Sequence, residues 1–333
     1  MHAAVHDTDT AALRTLLRSV GQIVLQSNAF TGACVLVALL VCNVRLACAA
    51  AIGAVAANVV AALTDHDGAY TRAGLNGFNG ALAALAAFSF VGDPATATAF
   101  AILAATAAAV LHALWSRGLR LHGLCAYSSP CIVVTWSWLA LLREPMAVAV
   151  SPVSTLSFGI ADSVLGSLAQ TTFASGALPG LLVLIGIAAA SRRHACAALA
   201  GAVLASAVQR LCGASLSSFD AGLLGFNGAL AALALVDRGF GYALAGAALA
   251  AALQQITSRW TTPGWPAMTA PFVIATWSLQ MLYRSRIANA AQKTRDTAGN
   301  ETESATHRTM RATRRQTCRL PIRPPAASPP RAR

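Results

Sequence analysis

The segment GFNGALAALA occurs twice in this chain, at residues 77–86 and again at residues 225–234. An identity of this length, at an offset of 148 residues, is not expected by chance, so the chain contains two related halves. The same relation pairs SVGQIVLQSNAFTG at 19–32 with SLAQTTFASGALPG at 167–180 and, at an offset of 141, SSPCIVVTWS at 128–137 with TAPFVIATWS at 269–278. Membrane proteins built from two equivalent halves usually place their substrate site where the halves meet.

The composition is typical of a membrane protein. Of the 333 residues, 56% are hydrophobic and 11% are charged, whereas about 25% of the residues in a soluble domain are charged. The apolar segments are rich in Ala and Gly, and most are shorter than the roughly 20 residues of an isolated span. Such segments indicate helices that pack closely against one another.

We predict an all-α integral membrane protein with two inverted repeats, each made of five transmembrane helices and one re-entrant half-helix. The odd number of spans inverts the second repeat relative to the first. The predicted segments are an N-terminal cytoplasmic segment (1–13), a first membrane repeat (14–145), a linker (146–162), a second membrane repeat (163–284) and a disordered basic tail (285–333).

The distribution of positive charge orients this arrangement. The predicted inner loops carry eight arginines and the outer loops four, so both termini are expected in the cytoplasm. The last 50 residues hold 12 of the 24 Lys and Arg residues. We expect this tail to contact anionic lipid headgroups and, with no folded module beside it, not to bind nucleic acid. The Ala-rich, Arg-over-Lys composition favours the inner (plasma) membrane of a bacterium.

The sequence lacks the residue patterns of catalysis and of ion pumping. It contains no P-loop, no nucleophile elbow and no cluster of metal ligands, so we predict no catalytic residues, no cofactor and no metal. His112 is alone in an apolar segment, where it either packs or contacts a solute. The acidic residues between the two terminal segments all lie near predicted segment ends: Asp65, Asp67, Asp93, Glu144, Asp162, Asp220 and Asp237. Passive passage of a neutral solute is therefore the expected function.

The duplication repeats an amide in the two short helices that open the halves. Gln22 and Gln170 occupy matching positions, and a buried amide costs several kcal/mol unless it is paired. One interpretation is that each glutamine ties the backbone together. The alternative is that the two form symmetric polar contacts along a solute path.

The repeated FNGAL segments combine aromatic, aliphatic and amide side chains. Phe78 and Phe226 are each followed one helical turn later by a leucine on the same face, Leu82 or Leu230. These four side chains are either core residues or the walls of a path. The adjacent Asn79 and Asn227 need buried partners, so we predict that they tie a broken or re-entrant backbone together.

The third repeated pair places a hydroxyl two residues before a proline. Ser128 precedes Pro130, and Thr269 precedes Pro271. Because proline frees a carbonyl one turn earlier, the hydroxyl and the carbonyl could form a series of acceptors. The alternative is an ordinary helix start with a Ser or Thr cap and a proline in the first turn.

Taken together, these motifs resemble the urea transporter family. The resemblance rests on GxxGQ followed by SNxx[ST]G, the repeated GFNGALAALA and the MTAPFVIATW segment, and it covers residues 13–283. It implies a channel-like, passive conduit for urea in the lipid bilayer, with one pore in each subunit and usually a homotrimer.

The resemblance also assigns roles to residues. It implies that Phe78, Leu82, Phe226 and Leu230 form a slot that clamps a flat solute, and that Ser128 and Thr269 accept its N–H groups. It also implies that Gln22 and Gln170 are polar groups of the half-helices and that Leu25 and Phe173 are additional slot residues. The first half departs from the pattern at Cys125, Ser128 and Cys131, where the second half has Pro266, Thr269 and Phe272.

Several rival functions remain open at this point. Short amides or other small neutral solutes fit the same groups, and ammonia or water with glycerol are further candidates. An ammonia channel is expected to use paired pore histidines, but this chain offers only the isolated His112 and His122. The NPA signature of water pores is absent. A membrane enzyme or an assembly scaffold is the alternative outside transport.

Overall fold

The computed structural model describes residues 2–64, 68–142, 159–260, 266–290 and 292. Regular structure within these ranges is helical, without a strand. The prediction of an all-α protein is therefore confirmed. Predictions that concern Asp65, Asp67, Glu144, residues 146–158 of the linker and the tail from residue 293 fall outside the described residues.

The chain divides into two compact units, Met1–Gln280 and Met281–Arg333. In the second unit, residues 281–290 and 292 are helical. The described α-helices of the first unit are α1 (His2–Gly21), α2 (Ala29–Cys42), α3 (Val44–Leu63), α4 (Gly68–Arg72), α5 (Phe78–Phe90), α6 (Pro94–Leu121), α7 (Ser129–Leu141), α8 (Ile160–Gln170), α9 (Ala177–Ala190), α10 (Arg192–Leu211), α11 (Leu216–Asp220), α12 (Phe226–Leu235), α13 (Phe240–Trp260) and α14 (residues 270–280). Short 3₁₀ turns follow α1 at Gln22–Val24 and α12 at Val236–Arg238.

The helix starts recur at the offset of the sequence identity. The helices α9, α10, α11 and α12 begin 148 residues after α2, α3, α4 and α5. The opening helices differ in length, because α1 covers 20 residues and α8 covers 11. Helix α1 begins at His2, inside the predicted N-terminal segment.

Short polar side chains start several of these helices. Asn28 accepts a hydrogen bond from the amide of Phe30 at 2.8 Å, and Asn43 accepts one from Arg45 at 2.9 Å. Asp93 caps α6 by accepting from Thr96 at 2.7 Å. The hydrogen bonds from Thr96 hold the pKa of Asp93 below its usual range. Each cap satisfies a donor that the first helical turn leaves without an internal partner.

Three described helices are long and apolar enough to cross a membrane: α3, α6 and α10. A fourth crossing is possible if Ala11–Val24 and Ala29–Cys42, which meet at 74°, form one bent span. The helices α5, α7 and α9 are apolar but shorter. The prediction of five spans in each half stays a prediction.

Glycines bring the backbones of neighbouring helices into direct contact. Helix α10 packs against α12 where Gly201 meets Gly228. A Cβ atom on either glycine would lie 2.6 Å from the carbonyl oxygen of the other. Gly53 of α3 and Gly80 of α5 make the corresponding approach in the first half. These contacts fix α5 and α12, which carry the repeated FNGAL segment, against their neighbours.

We expect Gly201→Ala to destabilise the protein by about 1–3 kcal/mol, because the added methyl group forces two packed backbones apart. The matched control is Gly118→Ala in α6, where a Cβ would meet nothing within 4 Å. Alanine has the higher helix propensity, so this control should gain up to about 1 kcal/mol. Thermal unfolding in detergent measures both changes. Equal melting temperatures for the two variants would contradict the expectation.

Candidate functional site

A narrow cavity lies between residues of the two sequence halves. Its volume is about 10 Å³, roughly the space that one water molecule needs. Its apolar lining consists of Ile23, Leu25, Phe78, Leu82, Leu230 and Phe272, and its polar lining consists of Ser128, Thr171 and Thr269. All of these described lining side chains are uncharged. The lining therefore suits groups that form hydrogen bonds and carry no charge.

Two hydroxyl groups meet inside this cavity. The Ser128 and Thr269 hydroxyl oxygens are 2.7 Å apart, although the residues are 141 positions apart in sequence. Ser128 stands at the N-cap position of α7, yet its side chain makes no capping hydrogen bond. Its hydroxyl is directed to Thr269 instead, so an ordinary cap does not explain this serine.

The turns around the cavity have unusual backbone geometry. Leu25 and Phe173 have φ angles of 59° and 63°, and Tyr127 and Met268 have φ angles of 47° and 49°. Residues other than Gly rarely adopt this left-handed backbone conformation, which costs of order 1–3 kcal/mol at each position. The four residues are paired at offsets of 148 and 141. Each half therefore pays a similar conformational cost beside the cavity, and something in each half must stabilise it.

Asn79 stabilises the turn that precedes α7. Its side-chain amide donates to the Tyr127 carbonyl at 2.9 Å, and its oxygen accepts from the Cys131 amide at 3.3 Å. The Cys131 N–H is in the first turn of α7, where the helix itself provides no acceptor. Asn79 thus caps α7 from the neighbouring helix α5 while it holds the left-handed Tyr127 in place.

Asn227 makes the corresponding contacts in the second half. It donates to the Met268 carbonyl at 3.2 Å and accepts from the Phe272 amide at 3.2 Å. It also donates to the Gln254 side-chain oxygen at 3.0 Å. Asn79 and Asn227 are fully buried, so these bonds replace the water that each amide gives up on folding.

Two tryptophans connect each half to the loop of the other. Trp136 of α7 donates to the Pro266 carbonyl at 3.0 Å. Trp277 of α14 donates to the Cys125 carbonyl at 2.7 Å. Each acceptor lies two residues before a left-handed turn residue. The reciprocal bonds hold Ser128 and Thr269 face to face.

The family model described as Urea transporter matches residues 13–284, a range that includes every cavity residue. The chain belongs to the urea transporter family. This confirms the resemblance found in the sequence. A comparison with curated proteins gives no match. Membership in the family implies urea transport across a membrane, and the family is one of transporters rather than of enzymes.

Four residues that the family resemblance assigns to the path do not line the cavity: Gln22, Gln170, Phe173 and Phe226. The Gln22 amide donates to the Ala73 carbonyl at 3.2 Å, and the Gln170 amide donates to the Ala221 carbonyl at 3.1 Å. These bonds correspond to the interpretation of the glutamines as backbone ties. A contact between either glutamine and urea stays a prediction.

The remaining predicted site residues are close to the cavity. Leu25, Phe78, Leu82, Leu230, Ser128 and Thr269 line it. Pro130 is in the first turn of α7, and Pro271 is the second residue of α14. Pro130 has no N–H to donate to the Ala126 carbonyl, four residues earlier. This carbonyl accepts hydrogen bonds from the Ser129 amide and hydroxyl instead. It is thus already bonded within the protein.

Three lining residues of this urea transporter family member were not identified from the sequence: Ile23, Thr171 and Phe272. Ile23 and Thr171 directly follow the two glutamines and are themselves an equivalent pair, which was an available signal. Phe272 follows Pro271, and the sequence comparison singled it out only as the counterpart of Cys131. Among the described residues, no group of three His, Cys, Asp or Glu side chains could hold a metal ion.

We expect Asn227→Ala to destabilise the protein by about 1–3 kcal/mol for each buried group that loses its partner. The affected groups are the Phe272 amide and the Met268 carbonyl. The matched control is Asn43→Ala, which removes one capping bond from a half-buried helix start and should cost about 1 kcal/mol. Thermal unfolding in detergent compares the two. A smaller loss for Asn227→Ala than for Asn43→Ala would contradict the assigned role.

Proposed function

We propose that this protein is a passive, channel-like urea transporter in which urea crosses the membrane through the cavity between the two halves. The observation that carries the proposal is the Ser128–Thr269 hydroxyl pair, which lies between apolar walls. Among the described residues, none of those that line the cavity is charged. A neutral solute loses no charge hydration on entering such a site, so no coupled ion is needed to stabilise it.

The hydroxyl pair has hydrogen-bonding capacity left over for a solute. Two hydroxyl groups supply two donors and four acceptor lone pairs. The bond between Ser128 and Thr269 uses one donor and one lone pair. Three lone pairs and one O–H therefore remain. Urea presents N–H groups along its edge and a single carbonyl oxygen, which matches this acceptor-rich combination.

The apolar walls suit the shape of urea. Phe78, Leu82, Leu230 and Phe272 offer flat or compact surfaces to a planar solute. A planar molecule can slide between them edge-on while its N–H groups contact the hydroxyls. Glycerol is not planar and has hydroxyl groups on every carbon, so the same slot would leave some of those groups without partners.

The proposal includes the two inverted repeats, each with five spans and a re-entrant half-helix, and a homotrimer with one pore in each subunit. The recurrent helix starts, the paired left-handed turns and the matching Asn79 and Asn227 contacts support an internal repeat. The trimer and the inner-membrane location with cytoplasmic termini rest on the family resemblance and on the charge distribution of the sequence.

A flux measurement on liposomes tests this function. Stopped-flow light scattering compares urea, thiourea, glycerol and water in liposomes that contain the purified protein and in empty liposomes. We expect urea flux that saturates weakly, needs no ion gradient and greatly exceeds glycerol flux. Urea equilibration no faster than in empty liposomes, from protein shown to be folded, would refute the proposal. Dependence on a proton or sodium gradient would refute its passive character.

The hydroxyl pair should determine urea flux. In the double variant Ser128→Ala and Thr269→Val, urea loses the two paired hydroxyl groups as acceptors, and we expect flux to fall by roughly tenfold, the factor for about 1.4 kcal/mol from lost hydrogen bonds. The control is Ser137→Ala on α7, because the Ser137 hydroxyl bonds only the Val133 carbonyl of its own helix. Wild-type flux in the double variant would remove the hydroxyls from the mechanism.

A further inference from the structure

His112 is a buried histidine that contacts the cavity wall without lining the cavity. It lies inside α6 with 8% of its surface exposed. Its ring meets the Phe78 ring edge-on at 5.9 Å, and its Nδ1 is 3.3 Å from the Asn79 side-chain nitrogen. His112 therefore touches two consecutive residues, of which Phe78 forms the wall and Asn79 holds the turn before α7.

The hydrogen bond to Asn79 fixes the state of the imidazole. The Asn79 side-chain nitrogen carries only donors. His112 Nδ1 must then be the acceptor, and the proton of the neutral ring lies on Nε2. The two N–H groups of Asn79 are thus divided between His112 and the Tyr127 carbonyl.

The two backbone contacts of Asn79 fix the orientation of its amide, and the His112 acceptor agrees with that orientation. An amide rotated by half a turn would exchange its oxygen and its nitrogen. The nitrogen would then face the Cys131 N–H, which now donates to the Asn79 oxygen at 3.3 Å, and two donors would oppose each other. In the observed orientation the Tyr127 turn and α7 are both satisfied, and His112 Nδ1 accepts from the remaining N–H of Asn79 and so stabilises that arrangement.

In the second half, a glutamine provides the acceptor for the buried asparagine. Gln254 of α13 accepts from the Asn227 amide at 3.0 Å and donates to the Leu223 carbonyl at 2.7 Å. Asn227 keeps the same two backbone contacts as Asn79. The shared property of His112 and Gln254 is a hydrogen-bond acceptor directed at a buried asparagine, not imidazole chemistry.

We infer that His112 is a positioning residue for the channel proposed above. It acts through Asn79, which holds the turn before α7, and it thereby keeps the Ser128 hydroxyl at its distance from Thr269. Gln254 has the same role in the second half. The inference rests on the proposed function only for its effect on flux, since the geometric effect on α7 is independent of the transported solute.

Three variants separate acceptor chemistry from bulk. His112→Leu fills the space without an acceptor, and His112→Gln restores the group that the second half uses. We expect urea flux to fall by roughly fivefold in His112→Leu, the factor for one lost hydrogen bond, and to stay within about twofold of wild type in His112→Gln. The control is His122→Leu, because His122 is exposed and bonds the Gly118 carbonyl of its own helix.

A double-mutant cycle tests whether His112 acts through Asn79. In the Asn79→Ala background, His112→Leu should reduce flux no further, because the amide that it positions is gone. Effects that multiply would overturn the inference, as would a His112→Gln variant that conducts as slowly as His112→Leu. If His112→Leu does not fold, His112→Ala takes its place, because alanine also removes the acceptor and adds no bulk.

A second readout does not depend on urea. Cys131 is 1% exposed and its amide is held by Asn79, so loss of the His112 acceptor should expose its thiol. Peptide mass mapping after treatment with methyl methanethiosulfonate measures modification at Cys131. We expect faster modification in His112→Leu and the wild-type rate in His112→Gln. Equal rates in wild type and His112→Leu would overturn the inference, whereas absent urea flux in wild type would refute only the proposed function.

Discussion

The hydrogen bonds of two buried asparagines are the constraint on which the site depends. The chain turns directly before α7 and α14, and Tyr127 and Met268 adopt left-handed conformations in these turns. A backbone of that kind is costly, and the orphan amides of the next helix add to the cost. Asn79 and Asn227 offset both terms from neighbouring helices, and only then can Ser128 and Thr269 stand 2.7 Å apart.

The cavity is lined by two kinds of residue, apolar side chains and side chains with a hydroxyl group. In the proposed passage, aromatic and branched aliphatic side chains would determine which solute shapes fit, and the hydroxyl groups would determine which solute atoms are bonded. Hydroxyl groups can both donate and accept, so they exchange partners with a passing solute at low cost. A carboxylate at the same place would attract cations and bind them strongly, which would slow release on the far side.

Much of the cavity lining could be found from the sequence, because the duplication marks its residues. Phe78, Leu82, Leu230, Ser128 and Thr269 were identified as equivalent residues, and all of them line the cavity. The prediction was incomplete where the halves differ. Phe272 lines the cavity but its counterpart Cys131 does not, and Phe78 lines it but its counterpart Phe226 does not.

Helical periodicity could not predict the residues that lie in turns. Ile23 and Thr171 point to the cavity from segments that end in left-handed Leu25 and Phe173. Side-chain direction in such a segment follows the local backbone angles rather than a 3.6-residue period. The length of α1 was also missed, because its first turns are polar and carry no apolar stripe.

The tryptophan bonds that cross between the halves have a consequence for synthesis. The acceptor of the Trp136 bond, the Pro266 carbonyl, belongs to the second half of the sequence. The donor to the Cys125 carbonyl, Trp277, also belongs to the second half. Because a chain is made from its N-terminus, the first half enters the membrane with its Ser128 turn held by Asn79 but without the bond from Trp277 to Cys125. The site is complete only when the last helix of the first unit arrives, so a truncated or stalled chain would contain no finished passage.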